Sequence, residues 1–173
     1  VTIHADHPFA DPDGERDPVR RLRGRLGGAV SLWTAGDLAD ARGCAGLTVS
    51  SLLVLPGEPP RVLGLVDPDS DLADVLARTG RCVVQLLSWE HRDLAEQFAG
   101  LAPAPGGPFR QAAFAATAWG PLLTTASTWA GAALEEAVEV GWSLRVTAVL
   151  EEVHVGPDEA PLEHRRGRYA RPS

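Results

Sequence analysis

The clearest hydrophobic pattern follows Gly141, where Leu144, Val146, Ala148 and Leu150 alternate with Ser143, Arg145 and Thr147. A period of two is that of a strand with one buried face. RCVVQLLS (81–88) and AVSLWTA (29–35) also read as strands. The segment GCAGLTVSSLLVLPGEPPRVLGLVD (43–67) predicts two strands, parted by the turn residues Pro56-Gly57-Glu58-Pro59-Pro60. Helical signals are fewer. Asp17-Pro18 offers an N-cap with proline at the first helical position, so VRRLRGRL (19–26) should be a helix ending at Gly27-Gly28. In SDLADVLARTG (70–80), Leu72, Val75 and Leu76 share one side and a glycine closes the helix. Ser88 is placed to cap a further helix over WEHRDLAEQFA (89–99), followed by a loop, LAPAPGGPF (101–109). Residues 128–140 suit a helix or a strand equally by local propensity. The tail LEHRRGRYARPS (162–173) is basic, with a short strand or extended arm expected there. Several strands with a few short helices predict a mainly β chain closed as a small barrel.

Residues 1–16 show no periodicity and are expected to form a loose arm ahead of one domain spanning 17–173. Fourteen prolines and eighteen glycines fit a chain with many turns. The net charge of −7 argues against a nucleic-acid partner, which requires a basic surface. No apolar run reaches the roughly 18 residues needed to cross a bilayer, and the polar, acidic amino terminus is unlike a secretory signal. With only Cys44 and Cys82 present, a disulfide scaffold is excluded; buried thiols in a reducing, cytoplasmic setting are expected. The absence of lysine removes Schiff-base chemistry and the Walker phosphate loop.

Most candidate motifs fail on spacing. A calcium loop opening at Asp67 would need glycine where Leu72 stands and glutamate where Arg78 stands. The acids Asp67, Asp69 and Asp71 fit a strand-to-helix turn better, with Asp69 or Ser70 as cap. His4, His7, His91, His154 and His164 form no metal-ligand pattern, and neither a nucleophile elbow nor a dinucleotide-binding glycine motif occurs. What remains is Gly46-Leu47-Thr48-Val49-Ser50-Ser51, where hydroxyls cluster at the end of a strand. Such a cluster suits the rim of a flat heteroaromatic ring whose N and O atoms alternate as donors and acceptors, although an ordinary edge strand reads the same way.

Taken in order, the segments resemble the flavin reductase-like family, FMN-binding split barrels that include the small components of two-component monooxygenases. RRLRGRLGGAVSLWTA looks like the family's opening helix and first strand. The block from Ala41 to Gly100 looks like its most recognisable part, and residues 120–156 and 161–172 resemble its last strands and tail. The resemblance implies an antiparallel Greek-key barrel, a homodimer with flavin near the subunit interface, FMN or another flavin such as FAD as cofactor, and NAD(P)H as co-substrate. It also implies a strand over 128–140, and a possible partner monooxygenase that takes the reduced flavin. Flavin contacts fall on Thr48, Val49, Ser50 and Ser51, with the turn from Asp67 to Ser70 near the phosphate, where a helix amino terminus favours an anion.

Two departures from the family pattern matter. Many members have Gly-Asp-His at the nicotinamide site, where this chain has Val140-Gly141-Trp142. Trp142 could stack on a ring or block it, but it lacks the histidine's hydrogen bonding. The feature favours a second reading, a flavin carrier of the same fold without nicotinamide turnover. The three carboxylates at the turn also repel a phosphate unless arginine intervenes. Arg23, Arg25, Arg78, Arg81 and Arg168 are the candidates for that role. No catalytic acid or base is assigned, and no metal is expected.

Overall fold

The computed structural model describes residues 17–40 and 42–172. The arm expected over 1–16, with His4 and His7, lies outside them. Helix α1 (Pro18–Leu26) forms as its caps predict: the Asp17 carboxylate accepts the Val19 N–H at 3.2 Å, and Gly27 leaves the helix at φ 65°. Helix α2 (Asp71–Thr79) starts at Ser70, whose hydroxyl accepts the Ala73 N–H, and ends at Gly80 in the left-handed region. The segment after Ser88 opens as a 3-10 turn, Trp89–His91, before α3 (Arg92–Phe98).

The strands are β1 (Gly28–Ala29), β2 (Ser31–Gly36), β3 (Cys44–Val49), β4 (Leu52–Leu55), β5 (Arg61–Val66) and β6 (Arg81–Leu86). They continue as β7 (Phe114–Ala116), β8 (Pro121–Leu123), β9 (Trp129–Val140), β10 (Ser143–His154), β11 (Glu163–Arg165) and β12 (Arg168–Ala170). Seven of them form a curled antiparallel half-barrel in the order β3-β2-β6-β9-β10-β5-β4. Of residues 128–140, Trp129–Val140 are thus a strand, as the family resemblance implies, and the tail forms the hairpin β11–β12 beside β1. The small β7–β8 hairpin has no counterpart in the hydrophobic pattern.

One expectation is corrected. Residues 43–55 do not form a single strand but break at Ser50-Ser51. Val49 pairs with Ser31 of β2, whereas Leu52 pairs with Gly64 of β5, so the two halves belong to opposite edges of the sheet. The curl brings those edges together, and the two serines bridge the seam.

Strand β2, next to the β3 edge, is covered on both faces. Trp33 points into the barrel with Val62, Val66, Leu72 and Val146, while Leu32 points outward against Leu94, Phe98, Leu123 and Leu162. Trp33 lies so close over Gly64 that a Cβ there would sit 2.7 Å from the indole. The buried polar residues Ser31, Thr34, Gln85 and His91 are all hydrogen-bonded, as their desolvation cost requires. Gln85 donates to the Thr34 hydroxyl and accepts the Leu123 N–H at 2.7 Å, stitching β8 to the sheet.

Buried His91 accepts the Ser88 N–H at Nδ1 (3.0 Å), which leaves Nε2 to donate to the Thr125 hydroxyl (2.8 Å). Burial holds its pKa below the ordinary histidine value, with Glu90 opposing weakly. The unfolded chain therefore takes up the proton first. The stability contributed by the neutral ring is complete above about pH 6.5 and declines as pH falls below it. The urea midpoint should drop on going from about pH 7.5 to 5. His164 shares this direction, so His91→Gln should flatten the profile only in part; an unchanged slope would assign the effect elsewhere.

Candidate functional site

The seam opens into a cleft of about 1540 Å³. Its inner wall is Thr48, Ser50 and Ser51, with Leu63, Gly64 and Leu65 of β5 beside them. Facing these are α1 and the β11–β12 hairpin, which meet where the Arg166 N–H donates to the Gly24 carbonyl at 2.8 Å.

The hydroxyls are not equivalent. Thr48 donates its proton to the Ala95 carbonyl of α3 at 2.6 Å, so its oxygen remains only as an acceptor. The Ser51 oxygen lies 3.4 Å from an Arg23 guanidinium nitrogen, accepts from it, and keeps its own proton to donate. Val49 is different again. Its side chain is buried in the barrel core and its carbonyl accepts the Ser31 hydroxyl at 2.6 Å.

Other sequence candidates stand apart. Asp67 accepts the Asp69 N–H, Ser70 donates to the Asp67 carbonyl, and the whole turn serves to cap α2 away from the cleft lining. Trp142 occupies the two-residue turn between β9 and β10, is 95% exposed, and does not line the cleft. Of the arginines considered for a phosphate, Arg23, Arg25 and Arg168 line the cleft. Arg78 instead reaches the Gly43 carbonyl and Arg81 the Ala118 carbonyl.

Sequence reading missed how far this basic wall extends. Arg20, Arg21, Arg92, Arg145 and Arg166 also line the cleft, so eight arginines gather there, against only Asp93 and Glu96 among the acids of the described residues. The signal was present in RRLRGRL and RRGR, two basic clusters in an acidic chain. Arg145 binds Glu136 at 2.9 Å, while its Nε is buried without a hydrogen-bond partner. Burial, with Arg23 adding repulsion, holds the His164 pKa low, and burial pushes Tyr169 up to about 12. Near neutral pH the fixed positive charge of the wall is therefore arginine alone. Cys82 is buried with its thiol raised to about 12, and half-buried Cys44 is also raised, so neither is an activated nucleophile. No cluster of metal-ligating side chains occurs among the described residues.

A heteroaromatic ring carrying phosphate fits this donor set: two serine donors and a threonine acceptor at one end, and arginines alongside. Residues 23–173 match the family described as flavin reductase like domain. The chain belongs to the flavin reductase-like family. Among curated relatives, it is 28% identical to FMN reductase (NADH) RutF of Serratia proteamaculans over 140 residues, covering 81% of this chain and 75% of that one. It is 29% identical over 86 residues to the 4-hydroxyphenylacetate 3-monooxygenase reductase component of Pseudomonas aeruginosa, half of this chain and 49% of that protein. Among solved structures, the Streptomyces globisporus NADH:FAD oxidoreductase SgcE6 superposes with a TM-score of 0.79 at 21% identity, covering 94% of this chain and 96% of that one. This last likeness is one of fold.

Proposed function

We propose that the chain is an NAD(P)H-dependent flavin oxidoreductase that takes FMN or FAD into the seam cleft. The observation behind this reading is the meeting of Ser50 and Ser51 with the α1 arginines in one cleft of an otherwise acidic protein. The bound flavin supplies the redox chemistry, accepting reducing equivalents from the nicotinamide. The chain supplies position. Ser50 and Ser51 donate to ring acceptors, the Thr48 oxygen accepts from a ring N–H, and Arg23 meets the phosphate with a fork of donors. Leu63 and Leu65 offer apolar contact and exclude water. Val49 contributes by filling the core beneath the seam, and the Asp67–Ser70 turn by starting α2.

The Serratia relative's name supports the nicotinamide, and the Pseudomonas relative's name supports a partner monooxygenase as recipient of the reduced flavin. A cytoplasmic location agrees with that use of nicotinamide; no helix among the described residues is long and apolar enough to cross a membrane. A homodimer is supported by exposed apolar side chains on α1 (Val19, Leu22 and Leu26) and on the edge strand β4 (Leu53 and Val54).

The second reading, a flavin carrier without nicotinamide turnover, rests on Trp142 in place of the family's histidine. Anaerobic mixing of protein, FMN and NADH separates the two. Bleaching of the flavin visible band is expected. Quenched flavin fluorescence without bleaching would overturn the reductase reading in favour of the carrier.

A further inference from the structure

We infer that the arginine wall seats a pyrophosphate, so that the preferred flavin is the dinucleotide FAD over FMN; this rests on the flavin reading above. The amino end of α2 is filled by its own turn: Ser70 is spent on the Ala73 N–H, and Asp67, Asp69 and Asp71 make the spot negative. The cleft offers the opposite field. Arg23 sits against Ser51, beside the proposed ring site, and marks the first phosphate position. Arg20 precedes it by one turn on the same helical face, about 4.5 Å along the axis. On the facing hairpin, Arg166 docks by its backbone on Gly24, and Arg168 follows two residues later.

Neither Arg20, Arg166 nor Arg168 forms an ion pair with a described residue. Cations that line one cleft repel one another unless an anion lies among them. A single phosphate is gripped by one or two guanidinium forks, and the row continues past that point. Beside Arg168, the rings of Tyr169 and His164 meet edge to face at 5.8 Å and both line the cleft, giving an aromatic surface for a second heterocycle. The cleft also exceeds the roughly 300–1,000 Å³ of a pocket for one small ligand. In this arrangement the ring lies at the seam, the two phosphates along the arginines and the base against Tyr169.

The test is a set of anaerobic titrations of the full chain with riboflavin, FMN, FAD and NADH, read by flavin or nicotinamide fluorescence and by calorimetry. FAD should bind at least about tenfold more tightly than FMN, and riboflavin most weakly. Arg168→Gln should weaken FAD about five- to tenfold and leave FMN unchanged, whereas Arg23→Gln should weaken both. Unchanged thermal unfolding would show that the exposed Arg168 variant remains folded. FMN binding as tightly as FAD, or equal losses for both in Arg168→Gln, overturns the inference and leaves the flavin site standing. Loss of NADH affinity alone in that variant assigns the row to the nicotinamide nucleotide and also overturns it. If none of the three flavins binds, the flavin site itself fails and the inference goes with it.

Discussion

Replacing Trp33 by alanine is expected to remove about 3–5 kcal/mol of stability, the usual cost of deleting a large buried aromatic side chain. Trp33 is fully buried in β2, and two parts of the fold meet on it. Its indole N–H donates to the Ser31 hydroxyl at 3.0 Å, which in turn donates to the Val49 carbonyl at 2.6 Å, at the end of β3 and next to the seam. Its ring fills the space above Gly64 of β5, across the barrel. The side chain therefore links the β3 edge, through Ser31, to β5 across the barrel. Thermal unfolding should fall by roughly 10 °C. A companion variant tests the contact itself. Gly64→Ala places a methyl group against the ring and should cost about 1–3 kcal/mol in the parent protein, but close to nothing once Trp33 is alanine. Equal costs in the two backgrounds would show that Trp33 and Gly64 are not coupled.

The helices were legible because their signals are local. Asp17-Pro18 and Gly27 bracket α1, and Ser70 and Gly80 bracket α2, within a few residues of the backbone groups they satisfy. The alternation along β10 was equally readable, since one face of that strand is buried and the other is not. The seam was not, because its cause is long-range. Nothing near Ser50 says that Val49 will pair with Ser31 and Leu52 with Gly64; only the closure of the sheet decides it. Thr48 shows the same limit at the level of one proton, spent on a carbonyl of Ala95 that is distant in sequence. The Asp67–Ser70 turn is a different case. A helix cap and an anion site share one sequence signature, and the hydrogen bonds within the turn show the cap. The basic wall was half legible: its clusters are plain in the sequence, but their convergence depends on the Arg166–Gly24 contact between chain ends.

Replacing Ser50 and Ser51 together by valine should weaken flavin binding by about tenfold or more, from two lost hydrogen bonds of roughly 1 kcal/mol each. The fold has little reason to object. Both residues are only half-buried and neither lies within a strand. Thermal unfolding should therefore stay close to the parent value while affinity falls. Riboflavin, FMN and FAD should all lose affinity, because the serines address the ring that all three share. This distinguishes them from Arg23, whose replacement should spare riboflavin, which carries no phosphate. Ser51 adds a second effect: its hydroxyl is the point on which Arg23 rests, so its loss releases that guanidinium as well. If so, Ser51→Val alone should cost FMN more than it costs riboflavin, while Ser50→Val costs both alike. A double variant that binds every flavin with unchanged affinity would show that the ring does not sit at the seam. The arginine wall would then be left as a phosphate site without its aromatic end.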